Sequence, residues 1–272
     1  MELKAFIDVM NRLAPPETAL SFDNCGLIVG TEKTDIRRVL VALDCTTAVA
    51  DESARVNADL VLTHHPVLFN AVKRILPDDP ETAAVYKLIR SGIGCMAAHT
   101  NLDAAEGGVN TELCRIFGLK NTVVVPPENI MRVGELETPM QLDQFAKTVE
   151  EKLHTTALIS GEDRLVRKVA VMGGAGGGDC AFAKEYGADV YLTGECKHNQ
   201  AIAAGVLGLA VIAAGHYETE NPVLEPLIRY LKANTRNVEY ILSGSNKAVF
   251  RTCRGSNDND FVYFNLVKED QV

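Results

Sequence analysis

Hydrophobic residues in the first half of the chain fall into short blocks separated by amphipathic stretches. After an N-terminal segment with helical apolar spacing, "RVLVALD" at residues 38–44 is a continuous apolar block. Such a block is expected of a strand covered on both faces in a parallel sheet. The patterns after it predict a helix, a strand, a helix and a strand: "TTAVADESARVN", "ADLVLT", "PETAAVYKLIRSG" and "IGCMAAH". This alternation predicts α/β architecture.

The second half of the chain repeats the same order of patterns. An apolar "RKVAVM" leads through a glycine loop to a helical stretch, a strand, another helix and the strand "LAVIAAGH". Two pairs of segments align between the halves: "NADLVLTHH" with "GADVYLTGE", and "GIGCMAAHT" with "GLAVIAAGH". We interpret this as an internal duplication of an α/β unit, which usually places related strand ends across a shared cleft.

The prolines and the change of pattern in "VVVPPENIMRVGELETP" indicate a boundary near residues 126–135. An amphipathic helical segment, "MQLDQFAKTVEEKLH", follows it. We therefore predict two similar α/β domains, residues 1–128 and residues 129–272.

Composition excludes several classes of protein. The 272 residues are 47% hydrophobic, which is enough to bury substantial cores. A net charge of -9, without a Lys/Arg block, argues against direct nucleic acid binding. The sequence also lacks signal-peptide features and any run near the roughly 18 apolar residues of a membrane span. Seven scattered cysteines, an odd number without a C-x-x-C pair, favour reduced thiols, so we expect a cytoplasmic protein.

Metal-binding side chains follow three of the predicted strands. His64 and His65 come directly after "ADLVLT", Asp103 follows the next strand, and His216 and Glu220 follow "LAVIAAGH". The carboxyl ends of parallel strands form the crevice in which ligands bind. Imidazole and carboxylate groups suit zinc, manganese or iron(II), so these residues predict a metal site.

The adjacent histidines point to two ions rather than one. Successive residues of a strand face opposite sides, so His64 and His65 in regular β geometry could hardly bind the same ion. A turn at Pro66, which itself favours extended geometry at His65, would let each histidine take a different metal. Asp103 or Glu220 could then bridge the two ions.

Each of these motifs also has an ordinary structural interpretation. A histidine pair alone is a weak indication of metal, and Asp103 could cap a helix or a turn. His216 and Glu220, four residues apart, could be a pair on a helix face. However, Asn221-Pro222 resembles a helix N-terminus, which predicts that both residues lie in the loop before that helix. The occurrence of all three motifs at equivalent strand ends favours the metal site.

The glycine-rich "VMGGAGGGDCA" could expose backbone amides to an anion. It matches neither the P-loop nor the dinucleotide-binding pattern, so a tight connection from strand to helix is favoured. In "YLTGECKHNQ", Glu195 and His198 could be an acid/base pair near the metals or part of a capped surface helix. His99 and His154 are expected to be structural or exposed.

Together these segments resemble the NIF3-like (DUF34) family, whose members are often named GTP cyclohydrolase 1 type 2 homologs. The matching segments occur in family order between about residues 15 and 230: "SFDNCGLIVG", "VLVALDCTTAVADESARVNADLVLTHHPVLF", "AAHTNLDAAEGGVN", "VAVMGGAGGG", "DVYLTGECKHNQA" and "VIAAGHYETE". The resemblance implies two α/β domains with a two-metal site in the cleft between them, and toroidal homohexamers.

The resemblance also implies a ligand set. The family's metal ligands fall on His64, His65, Asp103, His216 and Glu220, all of which are present. The C-terminal segment departs from the family by lacking an Asn-Pro-Phe ending, which affects what is expected of its packing and of the assembly. The chain is also too short for the regulatory domain that longer relatives insert between the halves.

A two-metal centre of this kind is suited to hydrolysis by a metal-activated water. The expected function is a metal-dependent hydrolase acting on a nucleotide or related small molecule, as a cyclohydrolase or a phosphoesterase. Glu195 is the candidate proton shuttle. The alternative is a metal-binding scaffold or regulatory protein without turnover, while a calcineurin-like phosphatase is disfavoured because G-N-H-[DE] is missing.

Overall fold

The computed structural model describes residues 1–250. Its helices are α1 (Leu3–Leu13), α2 (Thr47–Arg55), α3 (Ala83–Ser91), α4 (Thr100–Ala104), α5 (Val109–Phe117), α6 (Leu142–Leu153), α7 (Cys180–Glu185), α8 (His198–Val206), α9 (His216–Glu220) and α10 (Leu224–Asn234). Three short 3-10 turns lie at Pro16–Thr18, Gly176–Asp179 and Asn221–Val223. Among the described residues, no helix is long and apolar enough to cross a membrane.

The strands form two mixed sheets. They are β1 (Gly26–Val29), β2 (Arg38–Ala42), β3 (Leu60–Thr63), β4 (Gly94–Ala97), β5 (Lys120–Val124), β6 (Arg132–Gln141), β7 (Leu158–Ser160), β8 (Leu165–Met172), β9 (Val190–Thr193), β10 (Ala210–Ala213) and β11 (Glu239–Leu242). The first sheet has the order β1-β4-β3-β2-β11 and the second has the order β5-β6-β8-β9-β10-β7. The alternating helices and strands of the sequence therefore form the predicted α/β architecture.

The duplication predicted from the sequence is present in the sheets. In each half, three parallel strands carry an antiparallel strand at one edge, giving β1-β4-β3-β2 and β7-β10-β9-β8. All residues of β3 and all residues of β9 are buried, as their continuous apolar patterns indicate.

Equivalent aspartates, Asp59 and Asp189, immediately precede β3 and β9. Asp59 accepts hydrogen bonds from the backbone amides of Arg37 and Arg38 at the start of β2. Asp189 accepts the same pair of bonds from Arg167 and Lys168 in the second half. These bonds set the register of the neighbouring strand, so the aligned "ADLVLT" and "ADVYLT" segments reflect a shared structural role.

The halves exchange their last strands. β5 follows the first unit in sequence but pairs with β6 in the second sheet, whereas β11 follows the second unit and pairs in parallel with β2 of the first sheet. The predicted division at residue 128 therefore does not coincide with the division of strands between sheets. Residues 126–135 lie within the β5–β6 hairpin, because the prolines there form its turn and contain the cis bond between Pro126 and Pro127.

Helices with an apolar face cover the sheets. In α1, Phe6, Val9 and Met10 recur at helical spacing and enter the largest core cluster together with residues of α10. α3 and α5 each end at a glycine in the left-handed conformation, Gly92 and Gly118, which glycine adopts without steric cost.

The cysteines do not form disulfides in the described part of the chain. Six of them are free: Cys25, Cys45, Cys95, Cys114, Cys180 and Cys196. Cys253 and most of the atypical C-terminal segment lie outside the described residues. The expectation of reduced thiols therefore agrees with the structure for residues 1–250.

Candidate metal centre

The adjacent histidines stand where β3 ends. The amide of His65 donates a hydrogen bond to the carbonyl of Leu43, and the Thr63 hydroxyl donates to the carbonyl of His65. These bonds fix the backbone after the strand and leave the two imidazole rings 4.9 Å apart, tilted by 51°. Both rings face the other predicted ligands, but they approach different oxygens of the Glu220 carboxylate.

The remaining predicted ligands lie on two short helices. Asp103 is on α4, which follows β4, and His216 and Glu220 are on α9, which follows β10. The prediction that His216 and Glu220 lie in a loop is wrong, because helix α9 begins at His216 and precedes the Asn221-Pro222 turn. Their spacing of four residues places both side chains on one face of this helix, where they meet His65.

The five predicted ligands form two groups that share Glu220. In the first group, His64 Nε2 lies 3.6 Å from Asp103 Oδ1 and 3.7 Å from Glu220 Oε1. In the second, Glu220 Oε2 lies 3.0 Å from His65 Nε2 and 3.1 Å from His216 Nε2. The ligand atoms within each group lie within 4.8 Å of one another, which is compact enough to hold a metal ion.

The imidazoles are oriented by bonds on their outer side. His64 Nδ1 donates to the carbonyl of Ala98 and His65 Nδ1 donates to Asp44, at 2.9 and 2.8 Å. His216 Nδ1 lies 3.2 Å from a carboxylate oxygen of Glu195. Because each Nδ1 is held from outside, each Nε2 is left as the nitrogen that faces the cluster, which is the usual arrangement of metal-binding histidines.

The electrostatics of the cluster couple its imidazoles to its carboxylates. Burial alone would lower the pKa of His65, but the hydrogen bond to Asp44 and the close contact with the Glu220 carboxylate outweigh it and raise that pKa to about 10. Burial raises the pKa of Asp103 to about 6 against the attraction of His64. Burial also favours protonated Glu220, but the charge on His64 and the three imidazole contacts hold the Glu220 pKa well below its usual range.

Two buried atoms of the cluster have no hydrogen-bond partner among residues 1–250. They are His64 Nε2 and Glu220 Oε2, the atoms that face the centres of the two groups. Burying such atoms without a partner is costly. A cation bound between them would satisfy both, and the nitrogen and oxygen donors match the preferences of zinc, manganese and iron(II). The residues present therefore fit a metal centre.

The glycine loop packs against this cluster. Gly174 has a φ of +63°, and a side chain there would place its Cβ 2.1 Å from Glu220 Oε1. The Gly174 amide donates to the hydroxyl of Thr219, next to Glu220. The loop joins β8 to a 3-10 turn and then to α7, which confirms the tight strand-to-helix connection favoured by the sequence.

The other histidines and Glu195 have different surroundings. Glu195 follows β9 as His65 follows β3, and its exposed carboxylate reaches His216. His198 and His154 are exposed, at the start of α8 and just beyond the end of α6. His198 therefore begins a surface helix, which was one of the two interpretations of this segment in the sequence.

His99 is the histidine that the sequence reasoning did not connect to the site. Its ring centroid lies 5.1 Å from that of His64 and 5.4 Å from that of His65, and a ring nitrogen can join both as a third ligand. His99 Nδ1 is bonded to Asp23, whose side chain is fully buried. The position of His99 four residues before Asp103 was the available signal. No sequence pattern marked Asp23 or Asp44 as part of the site, because both residues act through contacts with histidines that are distant in sequence.

Comparison with known proteins agrees with this geometry. A family model described as Duf34/NIF3 (NGG1p interacting factor 3) matches residues 1–248. The chain belongs to the Duf34/NIF3 family. The family resemblance predicted from the sequence motifs is confirmed.

Curated Duf34/NIF3 relatives match most of the chain. It is 31% identical over 259 residues to the GTP cyclohydrolase 1 type 2 homolog of Clostridium perfringens, covering 92% of this chain and 99% of that relative. It is also 31% identical over 239 residues to the Protein NIF3 homolog of Schizosaccharomyces pombe, covering 81% and 85% of the two chains.

Solved structures of Duf34/NIF3 proteins share the fold. A Bacillus cereus protein related to NIF3 superposes with a TM-score of 0.85 at 26% identity, covering 93% of this chain and 99% of its own. Reduced HcgD from Methanocaldococcus jannaschii superposes with a TM-score of 0.79 at 29% identity, covering 89% and 97%. The α/β fold class with two sheets is thereby confirmed.

Proposed function

We propose that this Duf34/NIF3 protein is a dinuclear metal-dependent hydrolase that acts on a nucleotide or a related small molecule. The observation that carries the proposal is the position of Glu220, whose two carboxylate oxygens face two separate groups of ligands. The name GTP cyclohydrolase 1 type 2 homolog, which curated relatives carry, is consistent with hydrolysis of a nucleotide.

In this proposal, His64 and Asp103 would hold one divalent cation, His65 and His216 would hold the other, and Glu220 would contribute an oxygen to each group. The bound cations would supply Lewis acidity and lower the pKa of a water molecule for attack on the substrate. Zinc, iron and manganese all fit the donor set. Asp44 and the Ala98 carbonyl keep the imidazoles of His65 and His64 turned toward the ions.

Glu195 is the proposed proton-transfer residue. Its side chain is 55% exposed and contacts the outer nitrogen of His216, so it can exchange a proton with solvent at the edge of the centre. The same contact also suits a role in orienting His216. The two roles predict different effects of mutation.

A non-catalytic role as a metal-binding scaffold is the competing proposal. The family description as an NGG1p interacting factor favours it, because that name refers to a protein partner rather than to a substrate. A shared fold and site do not determine turnover. The two proposals differ in whether the metals support hydrolysis.

The test begins with elemental analysis of full-length protein purified without an affinity tag. The protein containing its native metal is then assayed with nucleotides and phosphoesters. We expect two ions per chain and hydrolysis that is lost in both His64→Ala and Glu220→Ala, while His154→Ala, at an exposed position, retains it. Full metal content without hydrolysis of any of these compounds would favour the scaffold.

We also propose a cytoplasmic homohexamer that takes a small-molecule substrate and binds neither nucleic acid nor membranes directly. The acidic net charge of -9 supports the lack of nucleic acid binding. Exposed apolar side chains support self-association: Leu158 on the edge strand β7, Leu165 on β8, and Ile202 and Val206 on α8.

A further inference from the structure

Two exposed phenylalanines lie beside the candidate metal centre. Phe22 is 62% exposed and Phe69 is 45% exposed, and their rings meet edge-on with centroids 6.1 Å apart. Phe69 also lies 6.0 Å from the His99 ring, which in turn contacts the rings of His64 and His65. A continuous series of aromatic rings therefore leads from the metal ligands to solvent.

The loop that carries Phe22 is held in place from both sides. The buried carboxylate of Asp23 accepts hydrogen bonds from His99 Nδ1 and from the amide and hydroxyl of Thr100. The side-chain amide of Asn24 donates to the carbonyl of Leu68, next to Phe69. These bonds connect the loop that carries Phe22 to the loop that carries Phe69. They also connect the Phe22 loop to the start of α4.

Much of the apolar surface of these two side chains is left uncovered by the fold. Neither phenylalanine belongs to the four core clusters, so their apolar surface remains in contact with water. The planes of the two rings differ by 61°, so the rings form a corner, and both rings are partly exposed to solvent. A flat ring can stack on one phenyl face there while its edge approaches the other, an arrangement that aromatic groups favour.

We propose that Phe22 and Phe69 form a binding subsite for the planar heterocyclic ring of the substrate, such as a nucleobase. The ring stacks in the corner while the reactive group of the same molecule extends past His99 to the metal centre. The inference rests on the proposed hydrolase function and adds the residues that recognise the ring of the substrate. Recognition by stacking tolerates different bases, because every base has a π face.

The proposal is tested by calorimetric titration of the full-length, metal-loaded protein. The probes are GMP, AMP and ribose 5-phosphate, the last of which has the sugar and phosphate but no ring. We expect both nucleotides to bind about tenfold more tightly than ribose 5-phosphate, as the loss of one stacking contact implies. Phe22→Ala and Phe69→Ala should each remove most of that preference, and Phe22→Trp should retain it.

Phe182→Ala is the matched control, because Phe182 is a partly exposed phenylalanine on α7 that makes no ring contact with the subsite. Equal affinity for the three probes, or a nucleotide preference unchanged in both alanine variants, would overturn the proposal. Loss of assembly in Phe22→Ala, measured by light scattering, with the nucleotide preference intact would instead assign the two rings to a subunit contact.

The outcome is separable from that of the proposed hydrolase function. Binding that depends on Phe22 without any metal-dependent hydrolysis would leave the subsite standing and reject the hydrolase. Hydrolysis that depends on His64, with no preference for ring-bearing ligands, would keep the hydrolase and reject the subsite.

Discussion

Asp44 shows how one residue outside the candidate ligand set can control it. Its carboxylate accepts the hydrogen bond from His65 Nδ1 and thereby turns Nε2 toward Glu220 and His216. Asp44 follows β2 and is partly exposed, so its removal leaves the cores intact. Asp44 acts on the site by orienting the His65 ring and by raising the basicity of its Nε2.

Asp44→Ala is therefore expected to lower metal affinity about 10- to 100-fold with little change in thermal stability of the metal-free protein. Competition with a chelator of known affinity measures this. Asp51→Ala is the control, since Asp51 pairs with Lys87 on the surface. Equal metal affinity of the Asp44 variant and the wild type would contradict the assigned role.

Gly174→Ala is expected to abolish occupancy of at least one metal position. The added Cβ would lie 2.1 Å from Glu220 Oε1 in a backbone conformation that costs a non-glycine residue about 1–3 kcal/mol. Elemental analysis and a thermal unfolding curve measure the two effects. Gly205→Ala is the control, because a side chain there meets no atom within 4 Å and alanine favours the helix. Normal metal content in Gly174→Ala would contradict the prediction and show that Glu220 can move away.

The role of Glu195 is separated by comparing Glu195→Gln with Glu195→Ala. If Glu195 transfers a proton, both variants lose hydrolysis by about 100-fold or more while metal content stays normal. If it only orients His216, the side-chain oxygen of glutamine can still contact the outer nitrogen of that histidine, and the variant should retain both metal and activity. Metal loss confined to the alanine variant would therefore exclude the proposed shuttle.

At the scale of elements, Glu52 of α2 holds the segment that follows β11 against the first unit. The Glu52 carboxylate accepts hydrogen bonds from the Ser243 hydroxyl and from the amides of Gly244 and Ser245, directly after β11. Burial would raise the pKa of Glu52, but these bonds outweigh it and lower the pKa below its usual value. The ionised carboxylate is therefore the form that stabilises the fold.

The sign of the resulting pH dependence follows from that lowered pKa. The stabilisation is complete above the unfolded glutamate pKa of about 4.3 and is lost as pH falls through the lower, folded value. We expect Glu52→Gln to reduce the free energy of unfolding by about 1–3 kcal/mol at pH 7, and by less at pH 3.5. Urea unfolding at the two pH values measures this difference, with Glu185→Gln at an exposed position as the control. An equal loss of unfolding free energy at both pH values would contradict the assigned role of ionised Glu52.

At the scale of the molecule, the exchange of β5 and β11 links the two duplicated units. Each unit contributes its last strand to the other's sheet, so neither sheet is complete without both parts of the chain. The candidate metal centre also draws on both units: His64, His65 and Asp103 come from one unit, and His216 and Glu220 come from the other. The strand exchange and the shared site both depend on a fixed relation between the units.

The proposed homohexamer is tested by light scattering on the full-length protein. The expected mass is six times the 29.5 kDa of the chain. Leu158→Asp and Val206→Asp place charges on exposed apolar positions and are expected to reduce that mass if these surfaces form contacts. Lys120→Asp, on the exposed edge strand β5, is the charge-changing control. A monomeric wild type would contradict the assembly.

Much of the fold was predictable because its signals are local. The apolar blocks of β2, β3, β8 and β9 and the helical spacing of α6 occur within single segments, and the structure confirms them. Strand β6 was missed, since its pattern is interrupted by prolines and charges and its pairing with β5 and β8 provides the order. The predicted boundary near residue 128 falls in the turn that precedes this strand, where no apolar periodicity marks which sheet a strand will join.

The sequence by itself determined the alternation of strands and helices in each half, the duplication and the three strand ends that carry histidine and carboxylate side chains. Those properties follow from local periodicity and from the direction of parallel strands. The tertiary structure alone decided that Glu220 faces both ligand groups, that Asp44 and Asp23 orient His65 and His99, and that β11 returns to the first sheet. These are contacts between residues far apart in the chain, and no periodic pattern records which distant partners a folded backbone will bring within a hydrogen bond.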